Sequence, residues 1–287
     1  MSNSILVTGS EGFIGRALCR RLQAEEFEVH RFSRSLGHQI LSEEAFRPFY
    51  DKPIGQVVHL AGESFIPTSW ETPGPFYAMN TLGTQRVLDF CRRMGSRLIY
   101  FSSFVYGAPK YLPIDEEHPI APLNPYTHSR WLAEELCEFY SQRFSVDSAI
   151  LRPFNIYGPG QDERFLISQC VGQWKRGERV QVKSLTPRRD YLYLDDLVEA
   201  TLLVIRDREL SGVFNIGSGQ SYSVQEILTT LQELIGPTFT FECVNQERID
   251  EVPETRSSSR LQTTGLWNPR VSLREGLTRI LREGAIL

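Results

Sequence analysis

Apolar residues along this chain recur at two spacings, and the spacings alternate. Ser4-Ile5-Leu6-Val7 is a short unbroken run ending at Gly9, which predicts a buried strand. From Gly12 to Leu22 the apolar positions Phe13, Ile14, Ala17, Leu18 and Leu22 follow helical spacing. Phe27–Phe32 predicts a second strand and Gln56–Ala61 a third. Leu82–Met94 predicts a helix with Val87, Leu88 and Cys91 on one face. A strand at Arg97–Phe101, a long helix at Tyr126–Phe144 and a strand at Ser148–Leu151 follow. Strands alternating with helices imply a parallel sheet with helices on both faces. After Gly158 proline, glycine and arginine break the pattern into shorter pieces. Helical stretches remain near Phe165–Trp174, Asp195–Ile205 and Val224–Leu234, with a strand at Val213–Ile216.

The expected architecture is therefore α/β, a Rossmann-type doubly wound parallel sheet with a smaller C-terminal α/β lobe. Residues 1–158, with 190–218 returning to them, are expected to form the larger sheet domain, and 159–189 with 219–287 the smaller lobe. Composition changes this picture little. At 41% hydrophobic and 23% charged the chain reads as an ordinary globular protein. Its net charge of -4 argues against a nucleic-acid or membrane-surface partner, either of which needs a basic face. The five cysteines are odd in number with no close pair, so neither a disulfide framework nor a metal site is expected. No signal peptide or apolar run of the ~20 residues needed for a membrane span is seen, and a cytoplasmic location is the default expectation.

The first motif with chemistry is Thr8-Gly9-Ser10-Glu11-Gly12-Phe13-Ile14-Gly15, between the first strand and the first helix. Glycines allow a tight turn and close backbone approach to a pyrophosphate, and the helix N-terminus offers it free N–H groups. Gly9, Ser10, Gly12, Phe13, Ile14 and Gly15 are thus expected to hold a dinucleotide. NAD-selective sites carry an acid after the second strand, whereas an arginine there accommodates the 2′-phosphate of NADP. Here Arg31, Ser33 and Arg34 stand at that end with no acid, which favours NADP over NAD.

Two later motifs are Phe101–Gly107 after a strand and Asn124–Arg130 opening a helix. Tyr126 and Arg130 are four apart and share a helix face. A tyrosine is a poor acid–base catalyst at neutral pH unless a fixed cation stabilises its phenolate. A serine hydroxyl from the strand end could bond the same substrate oxygen.

On these motifs the sequence resembles the extended short-chain dehydrogenases/reductases, in the NAD-dependent epimerase/dehydratase group that acts on nucleotide sugars. The resemblance also rests on His59–Gly62, Asn80 with Gly83-Thr84, Leu151–Gly158, Arg189–Asp196 and Phe214–Gly217. It implies that Ser102 bonds the reacting sugar oxygen and that Tyr126 is the acid–base, with Arg130 third in the catalytic set. It implies cofactor contacts from Leu60, Ala61, Gly62, Asn80, Tyr126, Arg130 and Pro153. Ser103, Asn155, Arg189 and Arg256 are implied on the side of a nucleotide-sugar substrate. A homodimer pairing the helices at Leu82–Met94 and Tyr126–Phe144 is implied as well. One position departs from the pattern: the family carries lysine where this chain has Arg130. Arginine keeps the charge but does not readily lose a proton, so it can supply electrostatics and not a proton relay.

Dehydratases of this group carry an acid and a base beside the catalytic hydroxyl, and here Ser103 and Phe104 follow Ser102. The 3,5-epimerising reductases carry a cysteine near that hydroxyl, and none of the five falls there. Two reactions remain: a ketoreductase using exchangeable NADPH, and a 4-epimerase that retains NAD. A non-catalytic dinucleotide-binding subunit is the alternative from another class.

Overall fold

The computed structural model describes residues 3–246 and 251–283. These group into two compact units, one of residues up to 107 with 120–153 and 198–214, the other of 108–119, 154–197 and the residues from 215 on. Relative to the division expected from the sequence, 108–119, 154–158, 190–197 and 215–218 join the second unit. Among the described residues no helix is long and apolar enough to cross a membrane.

The first unit contains β1 (Ser4–Thr8), α1 (Phe13–Ala24), β2 (Glu28–Phe32), β3 (Gln56–His59), α2 (Ile66–Glu71), α3 (Pro73–Phe76), α4 (Gly83–Met94), β4 (Arg97–Phe101), α5 (Pro125–Phe144) and β5 (Ser148–Pro153). A π-helical stretch, Tyr77–Leu82, leads into α4. The central parallel sheet has six strands in the order β2-β1-β3-β4-β5-β9, where β9 is Gly212–Ile216. All five residues of β1 and of β4 are buried, as covering a strand on both faces requires. On one face Leu6, Val57, Leu98 and Ile150 of the sheet pack with Val87, Leu88 and Cys91 of α4 and Ala133 and Cys137 of α5. The chain runs from β1 to β2 on one side and then crosses to β3 on the other. That reversal is a switch point, and in open α/β sheets ligands bind outside the strands' carboxyl ends there.

The second unit contains β6 (Asn155–Tyr157), α6 (Leu166–Lys175), β7 (Val180–Val182), β8 (Arg188–Tyr193), β10 (Ser221–Ser223), α8 (Val224–Ile235), β11 (Phe241–Cys243), α9 (Arg260–Thr263) and α10 (Leu273–Glu283). Between the two units' segments runs α7 (Leu194–Arg206), whose residues from 198 on belong to the first. Strands β10, β8 and β6 form one small sheet and β11 with β7 another. Their core joins Ile167, Val171, Ile227, Leu231, Leu277 and Leu281. Buried Asp190 organises the middle of this unit. Its carboxylate accepts from the backbone of Ser218 at 2.6 Å, Gly219 at 3.0 Å and Ser257 at 2.9 Å, and from the hydroxyls of Ser218 and Ser257.

Candidate active site

The glycine turn sits at the switch point in a geometry that only glycine allows. Gly9 has φ of +72°, and a Cβ there would lie 2.8 Å from the backbone nitrogen of Ala61. A Cβ at Gly15 would come within 2.1 Å of the Gly9 carbonyl oxygen. The turn is therefore packed between α1 and the end of β3, which brings Ala61 and its neighbours Leu60 and Gly62 beside it. Gly12 is the N-cap of α1, and no side chain caps that end. The first-turn N–H groups, which include those of Phe13 and Ile14, have no acceptor within the helix. A packed turn, a bare helix N-terminus and no acid in the first turn fit a dinucleotide pyrophosphate. Ser10 is buried, and its hydroxyl lies 3.5 Å from the Glu11 carboxylate.

At the end of β2 the three residues expected to face the adenosine ribose behave differently. Arg31 donates to Glu11 Oε1 at 2.9 Å. Ser33 is buried and bonds Ser35 at 2.8 Å. Arg34 is exposed; its carbonyl accepts from Gly37 N at 3.0 Å, while its side chain makes no hydrogen bond or ion pair among the described residues. Below the turn His59 joins Thr8 at 2.7 Å and Thr84 at 3.0 Å. Complete burial, reinforced by the nearby Arg130 charge, lowers its pKa to about 3, so this imidazole is a neutral brace.

Helix α5 carries Tyr126 and Arg130. Its start is fixed by Asn124, which accepts from the Thr127 backbone at 2.9 Å in a capping box, and by Pro125 in the first turn. Tyr126, Arg130 and Glu134 then recur every fourth residue, all buried on the side toward the sheet. The Arg130 guanidinium lies 5.6 Å from the Tyr126 ring centre and donates to the Phe101 carbonyl at 3.1 Å. Burial alone would lower its pKa; attraction to the Tyr100 and Tyr126 phenols outweighs that and holds it above the ordinary value. Among the described residues its buried Nε has no hydrogen-bond partner. Gly62 makes room for it, since a Cβ there would stand 2.7 Å from Arg130 Nη2 and 2.5 Å from Asn80 Oδ1.

Asn80 lies beside the same guanidinium. Fully buried, it accepts from Glu63 N at 2.9 Å and donates to Glu63 O at 3.1 Å and Ser129 Oγ at 2.9 Å. These bonds brace the loop after β3 against α5.

The strand-end serine is held by a network that the sequence reading did not include. Ser102 follows β4, and its hydroxyl donates to Glu134 Oε1. Glu134 is clasped by Arg152 of β5, Nη2 to Oε2 at 2.6 Å and Nε to both oxygens at 3.1 Å. Arg152 Nη1 also donates to the Tyr106 hydroxyl at 2.7 Å. Burial would lower the Arg152 pKa, but Glu134 raises it well above the usual arginine range. A hydroxyl has one proton; with that proton on Glu134, Ser102 presents its lone pairs to anything else. Ser103 beside it is half-buried, and Pro153 ends β5 buried.

Within the second unit, Asn155 donates to the Asp190 carbonyl at 3.4 Å. Arg189 ion-pairs with Glu251 and donates to the Val252 carbonyl at 2.6 Å. Arg256 is half-buried, and its buried Nε has no hydrogen-bond partner among the described residues.

Residues 5–217 match the model of the NAD dependent epimerase/dehydratase family. The GDP-6-deoxy-D-mannose reductase of Pseudomonas aeruginosa is 28% identical over 296 residues, covering 99% of this chain and 97% of its own. UDP-glucose 4-epimerase of Thermotoga maritima, solved with UDP-glucose, superposes with a TM-score of 0.89 at 26% identity, covering 98% of this chain and 99% of that one. RMD from Pseudomonas aeruginosa, solved with NADPH, superposes with a TM-score of 0.89 at 28% identity, covering 98% of each chain.

Proposed function

The chain belongs to the NAD-dependent epimerase/dehydratase family, and from that membership we propose that it is an NADPH-dependent ketoreductase of a nucleotide-linked sugar. Arg34 carries the choice of reaction. Its side chain stands exposed after β2 without an ion-pair partner among the described residues, and residues 33–36 carry no carboxylate to take the ribose hydroxyls of NAD. A guanidinium suits a phosphate, and an exchangeable NADPH suits a reductase. The similar reductase and the similar NADPH-bound structure support this reading.

The bound dinucleotide supplies the hydride to the sugar carbonyl carbon. Tyr126 donates a proton to the carbonyl oxygen as it gains charge. Arg130 is a fixed positive charge beside Tyr126 and stabilises the phenolate left behind. It is anchored on the Phe101 carbonyl and relays no proton. Ser102, its own proton held by Glu134, accepts from the hydroxyl that forms. Arg189, with Asn155 and Arg256, is assigned to the nucleotide diphosphate. For Arg189 this requires that phosphate replace the Glu251 carboxylate as its partner.

A second reading, 4-epimerisation with retained NAD, is favoured by the likeness to UDP-glucose 4-epimerase. The test is incubation with nucleotide sugars and cofactor. Net NADPH oxidation with a nucleotide 4-ketosugar is expected. Exchange between C4 isomers without net cofactor turnover would establish the epimerase instead.

A further inference from the structure

Glu11 is an unexpected residue for its place. It lies inside the glycine turn, between Gly9 and Gly12, at the bare N-terminus of α1. A free carboxylate there would repel a pyrophosphate, and would repel a dinucleotide with an additional 2′-phosphate more strongly. The carboxylate is not free. Arg31 reaches over from β2 and donates from Nη1 to Glu11 Oε1 at 2.9 Å, with side chains 34% and 31% exposed. Arg31 Nη2 is steadied by Gln23 Oε1 of α1 at 3.4 Å. Arg16 holds the backbone of the same residue, donating to the Glu11 carbonyl at 2.8 Å. Three residues further along, Arg34 makes no protein contact of this kind. The two arginines at the end of β2 are therefore in different electrostatic states, one neutralised and one available.

We propose that Arg31 is a masking residue: it cancels the Glu11 charge so that the turn accepts a dinucleotide, while Arg34 alone recognises the 2′-phosphate. The division of labour rests on the reading of this turn as the dinucleotide site. It makes Arg31 a positioning residue for a neighbouring charge and Arg34 the direct specificity determinant. Removing Arg31 exposes a carboxylate to every dinucleotide, so NAD⁺ and NADP⁺ both lose affinity. Removing Arg34 affects NADP⁺ alone. Removing Glu11 together with Arg31 deletes the repulsion and its mask at once, so affinity returns.

The test is calorimetric titration of NADP⁺ and NAD⁺ into the full chain and into Arg31→Ala, Glu11→Gln, the Arg31→Ala/Glu11→Gln double variant and Arg34→Ala. Melting temperatures confirm that each variant folds, as expected for partly exposed side chains. Arg31→Ala is expected to weaken both dinucleotides by about tenfold, and NADP⁺ by the larger factor. The double variant is expected to return to within about threefold of Glu11→Gln. Arg34→Ala is expected to lose about tenfold or more for NADP⁺ only. A double variant as weak as Arg31→Ala would overturn the proposal, because Arg31 would then be touching the phosphate itself. An Arg31→Ala indistinguishable from the unmodified chain would also overturn it, leaving the pair as an inert surface contact. Failure of the unmodified chain to bind either dinucleotide would overturn the underlying reading of the turn and the proposal with it.

Discussion

Glu134→Ala is the substitution whose cost the structure defines best. Glu134 and Arg152 are each only 6% exposed, and their carboxylate and guanidinium meet at 2.6 Å. Alanine removes all of the charge compensation at Arg152 except its contact with the Tyr106 hydroxyl. An uncompensated buried cation costs about 3–5 kcal/mol. For a domain of this size each kcal/mol moves the melting temperature by about 2–4 °C, so a fall of about 10 °C is expected. Scanning calorimetry reads it, following the transition of the first unit. The double variant Glu134→Leu/Arg152→Met provides the control. It replaces both charges with apolar groups of similar volume, a change that is often neutral or better, and should recover most of the loss. A fall of less than about 2 °C for Glu134→Ala would refute the reasoning, since the pair would then be solvated in solution. So would a double variant no more stable than the single, which would locate the loss in packing and not in charge.

Three further outcomes are expected. Arg130→Lys should lower kcat at least tenfold with little change in dinucleotide affinity, because the anchor on the Phe101 carbonyl is lost at about 1.5–3 kcal/mol; steady-state kinetics on an accepted sugar check this, and an unchanged or higher rate contradicts it. Gly62→Ala should mimic that loss without altering a catalytic side chain, since its Cβ would stand 2.7 Å from Arg130 Nη2; activity at wild-type level would show the guanidinium has other room. His59, with its folded pKa lowered to about 3, gives a pH signature. The unfolded imidazole binds a proton below ~6.5 and the folded one does not, so stability is complete above that value and falls as pH drops toward 3. About 2 kcal/mol should be lost between pH 7.5 and 5, and denaturant melts of His59→Gln should lack that part of the slope.

The parts of the site legible in the sequence are those whose signal is local. The strand–glycine–helix turn at Thr8–Gly15 is contiguous, and Tyr126 and Arg130 are linked by one turn of helix. The network around Ser102 was not read because its members lie on different elements: Glu134 on α5, Arg152 on β5 and Tyr106 after β4. A signal was present all the same. Arg152 interrupts an otherwise apolar buried strand, Ala149-Ile150-Leu151, and a charge there needs a partner. Glu134 continues the four-residue spacing of Tyr126 and Arg130 toward the same sheet end. Arg31 and Arg34 look alike in sequence, and only the position of the Glu11 carboxylate separates them. In the second unit α10 was missed although Leu273, Leu277, Ile280 and Leu281 have helical spacing. The bonds that gather 218, 219 and 257 around Asp190 are too distant in sequence for any periodicity to reveal.

The proposed reaction is reduction of a nucleotide-linked sugar ketone with Tyr126 as the acid. The most direct measurement is the loss of reduced-nicotinamide absorbance when NADPH is mixed with nucleotide 4-ketosugars carried on UDP, GDP and dTDP, for the unmodified chain and for Tyr126→Phe. The account predicts net NADPH oxidation with at least one of these sugars. It predicts a fall of about a hundredfold or more in kcat for Tyr126→Phe, with NADP⁺ affinity within about threefold of the unmodified chain. No turnover of any sugar, or turnover that Tyr126→Phe leaves intact, would contradict it.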